Sequence, residues 1–293
     1  MVDPRTGRLA EWPGPGGWKF HLNPVKGTIL MGVINLTPDS FSDGGAYPTA
    51  SAAIARGLEL AAAGADIIDL GGESSRPGSQ PVSAAEELRR VIPVIEGLAE
   101  KLSVPISIDT WKAEVAARAL EAGAGIVNDI SALRFDSGLS AVVAGSTGPY
   151  IMMHMLRTPK DMQVRPVYRE VIEEIKDFFR ERISFAATAG IDLARIVIDP
   201  GIGFGKTLEH NLEILNRLEE FQSLGRPIMV GVSRKSFIGA ILGPYSKDRI
   251  WGTAGAVAAA VGRGAEIVRV HDVAPIKEMI AVIDAIRSAG VDG

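Results

Sequence analysis

The chain has 293 residues, 46% of them hydrophobic, with a net charge of −4 and no cysteine. That length suits one large barrel or two ordinary domains, and the apolar share is enough for a substantial core. Disulfides and thiolate metal sites are excluded, the charge carries no nucleic-acid signature, and no apolar stretch reaches the roughly 18 residues of a membrane span.

In chain order, residues 1–26 are rich in Gly and Pro and carry Trp12, Trp18 and Phe20. They read as an N-terminal extension, a short hairpin packed under the main domain at 27–293. The start has no basic segment followed by an apolar block, so the expected compartment is the cytoplasm. From Thr28 onward one event recurs: a short apolar run ends, and a polar residue sits at its last position or just beyond. The runs are Thr28–Ile34 before Asn35, Asp66–Leu70 before Gly71, Pro105–Ile108 before Asp109, and Ile126–Val127 before Asn128-Asp129. They continue with Tyr150–Met153 before His154, Ile196–Ile198 before Asp199, Ile228–Val232 before Ser233, and Ile267–Val270 before His271. Helical patterns fall between them, at Ala50–Ala63, from the Ser83 cap with Glu86 at capping-box spacing to about Leu102, and at Lys112–Ala122. Further helices are expected near Leu139–Ala144 and at Val167–Ala189, Leu208–Gln222, Gly252–Val261 and Pro275–Ala289. Eight strand–helix pairs without a linker predict a single (β/α)8 TIM barrel, with an open doubly wound sheet as the alternative.

The barrel gives the strand ends their meaning, because its active site lies at the C-terminal face. The stretch Asn35–Gly45, N-L-T-P-D-S-F-S-D-G-G, combines Asp39, Asp43 and an exposed Phe41 with Pro and Gly, and suits a mobile lid over a polar ligand and a divalent cation. Gly71-Gly-Glu-Ser-Ser75-Arg76-Pro77-Gly78 offers close backbone approach, hydroxyl donors and a guanidinium that can fork onto a carboxylate or phosphate. Asp199-Pro-Gly-Ile-Gly-Phe204-Gly-Lys-Thr207 invites comparison with a P-loop. The Gly that must precede Gly-Lys-Thr with four residues between is missing, since position 200 is Pro, so a nucleoside triphosphatase is set aside. Arg269 and His271, at i and i+2 of one strand, face one side and with Lys235 and Arg76 suggest an anion site. Alone, His271 reads as a structural histidine and Met153 as core.

These motifs together resemble dihydropteroate synthase, the folate-pathway family, from about Lys26 to Ala289. The resemblance rests on the two loops at 35–45 and 71–78, Ser107-Ile-Asp109-Thr, Val127-Asn-Asp-Ile, Met153-His-Met, Asp199–Lys206, Ser233-Arg-Lys-Ser236 and Arg269-Val-His-Asp272. It implies a dihydropterin pyrophosphate and 4-aminobenzoate as substrates, 7,8-dihydropteroate and pyrophosphate as products, Mg2+ as cofactor, and a homodimer through barrel helices. By residue, it implies Asp109, Asn128, Met153, Asp199 and Lys235 at the pterin, with Asn35, Arg76, Arg269 and His271 at the pyrophosphate. Phe41, Ser75, Arg76, Pro77, Phe204 and Ser236 fall to 4-aminobenzoate, and Asn35 with Asp43 to the metal. Asp43, Lys235, Arg269 and His271 carry the chemistry. Departures are Ser75 in place of Thr, Trp111, and Leu156-Arg157. A pterin-binding methyltransferase barrel and a pterin-binding paralogue without turnover stand as alternatives.

Overall fold

The computed structural model describes residues 11–13, 19–21, 27–37, 49–243 and 249–289. Phe41, Asp43 and the rest of the loop from 38 to 48 lie outside these residues, as does most of the N-terminal extension. Within that extension, β1 (Glu11–Pro13) pairs antiparallel with β2 (Lys19–His21), so the expected hairpin is present.

Eight parallel strands follow: β3 (Ile29–Asn35), β4 (Ile67–Gly71), β5 (Ile106–Asp109), β6 (Ile126–Asp129), β7 (Tyr150–Met153), β8 (Ile196–Asp199), β9 (Met229–Val230) and β10 (Ile267–Val270). Each pairs with the next in sequence up to β8, while β10 lies between β9 and β3. A parallel bridge from Ile198 to Ile228, with Ile198 N–H donating to Pro227 O at 2.9 Å, joins β8 to the start of β9 and completes the ring. The open-sheet alternative is excluded by that closure.

The strands alternate between two burial environments, as period-2 geometry requires. Ile29, Met31, Ile67, Ile126, Ile151, Val197, Met229 and Ile267 form one cluster that fills the barrel's lower interior. Leu30, Ile68, Ile108, Val127, Met152 and Ile198 belong instead to the larger core shared with the helices. Burial on both faces explains why these runs are apolar rather than alternating.

The surrounding helices are α1 (Ala50–Ala62), α2 (Ala84–Ala99), α3 (Ala113–Glu121), α4 (Leu139–Gly145), α5 (Val171–Thr188), α6 (Leu208–Asn216), α7 (Ser236–Leu242), α8 (Ile250–Gly262) and α9 (Val273–Ser288). Four details differ from expectation. Ser83 caps α2 by accepting from Glu86 N–H at 3.2 Å, but Glu86 pairs with Arg89 and Arg90, so the box is only half made. The complete box is at α6, between Thr207 and His210. The helix expected over Leu208–Gln222 breaks at Arg217 into α6 and a 3-10 turn, Leu218–Leu224. Helix α7, hidden in the sequence by its brevity, begins immediately after Lys235.

One buried network fixes the exit of β6. Asp129 is fully buried and accepts from Tyr150 Oη at 2.8 Å, Leu133 N–H at 2.6 Å and Ser131 N–H at 2.7 Å. These bonds hold Ala132 and Leu133 at φ of 51° and 64°, a left-handed backbone that costs a non-Gly residue on the order of 1–3 kcal/mol. Tyr150→Phe removes one donor from a buried carboxylate and should cost about 1.5–3 kcal/mol. A thermal melt checks this: Tm should fall by about 2–4 °C per kcal/mol lost, and an unchanged Tm would mean that Asp129 holds the turn without Tyr150.

Candidate active site

The strand register brings the polar ends to one level. Asn35 lies beside Gly71, Gly71 beside Asp109, and Asp109 beside Asn128, while Met153 lies beside Asp199. All are on the C-terminal rim that the sequence singles out.

At the centre is Arg269, which reaches inward from β10. Its Nε donates to Asp69 Oδ2 at 2.6 Å and its Nη2 to Asp109 Oδ2 at 2.7 Å. Burial opposes its charge, but the two carboxylates more than offset this and keep the guanidinium protonated. Asp109 is pushed up to about 7, first by burial and then by its neighbour Asp69, against the pull of Arg269. Asp69, with no exposed side-chain surface, also faces the Asn128 amide, whose Nδ2 lies 3.4 and 3.5 Å from its two oxygens. One amide N–H is thus shared between the two Asp69 oxygens, and the Asn128 carbonyl oxygen is left as an acceptor.

Asp199 ends β8 almost fully buried, with Oδ1 accepting from Gly201 N–H at 2.8 Å. Burial raises its pKa, opposed by that bond and by Lys235 and Lys206. Gly201 is required: its φ is 72°, and a Cβ there would lie 2.0 Å from His154 O. Lys206 closes the same loop. Its buried Nζ sits 2.9 Å from His154 Nδ1 and donates to Phe204 O at 3.0 Å, and burial pushes its pKa down to about 7.

Lys235 caps α7 and places its Nζ 4.0 Å from the centroid of the Phe204 ring. Burial, with Arg269 nearby, pushes its pKa down to about 8, while Asp199 and Asp109 pull it up. The turn before it is held by Arg234, left-handed at φ 59° and forked onto Asp272 at 3.0 and 2.5 Å. His271 stands beside Ser233. The Ser233 Oγ accepts from His271 N–H at 3.2 Å and lies 3.1 Å from Nδ1. The hydroxyl also has a proton to give to Nδ1, an arrangement that places the ring hydrogen on Nε2. Burial, then Arg269 and Arg234, push His271 down to about 4, so at neutral pH it is an uncharged donor.

An apolar wall adjoins these groups. Ile130, Met153, Met155, Met162 and Phe204 form one cluster, with Trp111 and Phe135 packed against it. Trp111 meets Phe135 edge-on at 5.9 Å, so this departure from the family pattern extends the wall. Leu156 packs on Gly205, and Arg157 donates to Val164 O at 2.5 Å, which ties the altered fifth loop back on itself. Of the other expected site residues, Ser75 is half-buried, and Arg76, Pro77 and Ser236 are exposed. Phe41 and Asp43 are outside the described residues.

Residues 31–271 match the family described as pterin binding enzyme. The chain is 47% identical to the dihydropteroate synthase of Synechocystis sp. over 262 residues, covering 89% of this chain and 91% of that protein. It is 43% identical to the Bacillus subtilis dihydropteroate synthase over 263 residues, 90% of each. The chain belongs to the dihydropteroate synthase family. The Yersinia pestis dihydropteroate synthase in a sulfonamide drug complex superposes with a TM-score of 0.90 at 39% identity, over 95% of this chain and 100% of that one. The Xanthomonas albilineans dihydropteroate synthase in complex with 7,8-dihydropteroate gives 0.84 at 41% identity, over 95% and 99%.

Two buried residues of this family member escaped the sequence reading. Asp69 was legible as a lone carboxylate inside the apolar run Ile67–Gly71, and Lys206 as the lysine of a failed P-loop. In both cases the signal was a charge in a place that packing does not ask for. The pairing of Arg269 with Asp109 leads to a test. Arg269→Met should move the Asp109 titration upward from about 7, because only burial and the repulsion of Asp69 then dominate. Carboxyl-carbon NMR across pH 5–9 reads this directly, and a midpoint at or below the wild-type value would show that Arg269 does not hold Asp109 ionised.

Proposed function

We propose that the chain condenses 6-hydroxymethyl-7,8-dihydropterin pyrophosphate with 4-aminobenzoate to 7,8-dihydropteroate and pyrophosphate, as a transferase of the pterinylmethyl group to an arylamine. The observation that carries this reading is the collar of buried acceptors, Asp109, Asn128 Oδ1 and Asp199, set around Lys235 at the mouth of a barrel of this family. A pterin presents ring N–H groups and a 2-amino group, and such a donor edge needs paired acceptors. Asp199 is assigned to that edge, with Asp109 and Asn128 as further ring contacts and Met153 packing on the ring face. Lys235 bonds the pterin and stands near the arylamine.

In the reaction the arylamine nitrogen forms a bond to the pterin methylene carbon, the carbon–oxygen bond to the diphosphate breaks, and the amine loses a proton. The electron-rich ring carries positive charge developing at the methylene, so no side chain is needed as a nucleophile. Stabilising the departing anion is then the main task. His271 Nε2–H, Asn35 and Arg269 are assigned to it. The two carboxylates engage Nε and Nη2 of Arg269, and its Nη1 is the nitrogen we assign to the phosphates. Arg269 therefore serves the pterin half through Asp109 and the anion half at once. Mg2+ suits the hard oxygen donors of Asn35 and Asp43 together with the diphosphate, and when bound it supplies further charge neutralisation for the leaving group. Ser75, Arg76, Pro77, Phe204, Ser236 and Phe41 form the 4-aminobenzoate site.

A homodimer is part of this reading; the exposed apolar side chains of Ile241, Leu242 and Trp251 on α7 and α8 supply a face for it. Cytoplasmic residence fits a diphosphate ester too highly charged to cross a bilayer unaided. No helix among the described residues is long and apolar enough to span a membrane.

Pyrophosphate release from the pterin ester, measured with and without 4-aminobenzoate, tests the whole. Release that depends on the arylamine is expected; none, or release indifferent to it, would point to the paralogue without turnover or to a different acceptor. Asp199→Ala should cost about 2–5 kcal/mol of pterin binding, read by calorimetry, because the paired donors lose a buried charged partner. His271→Ala should weaken the diphosphate ester by about 1.5–3 kcal/mol and leave a pterin without diphosphate nearly untouched. Equal losses for both ligands would remove His271 from the anion site.

A further inference from the structure

Two loops assigned to different substrates are joined below the rim by a buried ion cluster. Glu73 stands two residues before Ser75, and Lys112 stands three residues after Asp109. The Lys112 Nζ donates to Glu73 Oε2 at 2.5 Å and also to Glu87 Oε2 on α2. The Glu73 side chain is 4% exposed, that of Glu87 1% and that of Lys112 16%, so water contributes little. Glu73 is held at its other oxygen too, where Oε1 accepts from Val82 N–H at 3.1 Å. Burial raises the Glu73 pKa, and Lys112 opposes the rise. Among the described residues Glu87 Oε1 has no hydrogen-bond partner. Two carboxylates sharing one ammonium are a poor way to stabilise a fold, since an apolar replacement of such a cluster is often neutral or better.

The backbone around the cluster is tightly packed, and the residues beyond it are exposed. Gly72 sits so close to α2 that an added Cβ would lie 2.7 Å from Glu87 Cγ, and Arg90 donates to Gly72 O at 2.8 Å. Past Glu73, Arg76, Pro77 and Gly78 are exposed, and Gly78 N–H reaches across to Pro159 O at 3.1 Å. Glu73 is thus the anchor next to Ser75, and Lys112 ties that anchor to the segment that ends β5 with Asp109.

We propose that Lys112 and Glu73 are positioning residues that hold the Ser75–Pro77 segment in register with the pterin site, so that the arylamine meets the methylene carbon. This rests on the reading that Ser75, Arg76 and Pro77 bind 4-aminobenzoate. Neither residue touches substrate; each acts through the loop it anchors.

Steady-state kinetics with calorimetry on the full chain tests it. Glu73→Gln and Lys112→Met should each raise KM for 4-aminobenzoate roughly tenfold, while the Kd of a pterin without diphosphate stays within about twofold of wild type. Glu87→Gln should leave that KM near wild type, because Lys112 keeps Glu73. Glu73→Gln leaves one carboxylate for one ammonium and so keeps the test usable if Lys112→Met does not fold. An unchanged KM in Glu73→Gln, an equal loss of pterin affinity, or an equal effect of Glu87→Gln would each overturn the proposal. Arg76→Ala reports on the loop itself. A raised KM there with an unchanged Glu73→Gln rejects the positioning role alone, and an unchanged KM in Arg76→Ala rejects the loop assignment and the proposal with it.

Discussion

The site depends on one buried guanidinium between two carboxylates. Arg269 from β10 spans Asp69 on β4 and Asp109 at the end of β5. Taking ions out of water costs several kcal/mol each unless geometry and further bonds repay it. Here the repayment is incomplete. Asp69, Asp109 and Asp199 face Arg269, Lys235 and Lys206, and burial, joined by the repulsion of Asp69, still leaves Asp109 pushed up to about 7. A collar of acceptors is complementary to a ligand rich in N–H donors. In the proposed assignment the ring takes the centre, and the diphosphate sits to one side, towards His271 and Asn35. One electrostatic constraint divides the mouth into a donor-seeking half and an anion-seeking half.

The barrel was legible because its strands are buried on both faces and end in polar residues. Neither property is needed for turns, so runs such as Ile196–Ile198 before Asp199 carried the fold and the rim together. What stayed hidden had a common cause. Strand ends are the visible signal, but period-2 geometry also points Asp69, two residues below Gly71, into the same interior. Local backbone was hidden as well. Ala132, Leu133 and Arg234 adopt a left-handed conformation that their side chains do not advertise, and only Asp129 and Asp272, seen as partners, explain it. The sequence did show that Arg269 and His271 share a strand face. It did not show that one is paired with carboxylates and the other is neutral.

The chain spends buried polar groups on loops rather than on the sheet. Asp129 holds the exit of β6 and Lys206 with Gly201 that of β8, while the exposed pair of Arg234 and Asp272 sets the turn into Lys235. Each restrains a residue within a few positions of the collar. Strain and desolvation of this kind reduce stability, and they persist where a side chain must arrive in one orientation. The pterin half of the mouth is accordingly built before any ligand arrives.

The arylamine half is built differently. Ser75 is only half-buried and Arg76, Pro77 and Ser236 are exposed, so little of that surface is enclosed by the described residues. A small aromatic carboxylate binding there alone would bury few of its atoms and would gain little from a guanidinium still in contact with water. With the pterin in its proposed place between the collar and the Met153–Phe204 wall, the same surface would acquire a floor, and each polar contact would be made in a drier environment. In the proposed assignment, affinity for 4-aminobenzoate would thus depend on the pterin ester already being in place. That dependence would give an order of events, pterin first and arylamine second, set by where the buried charges are.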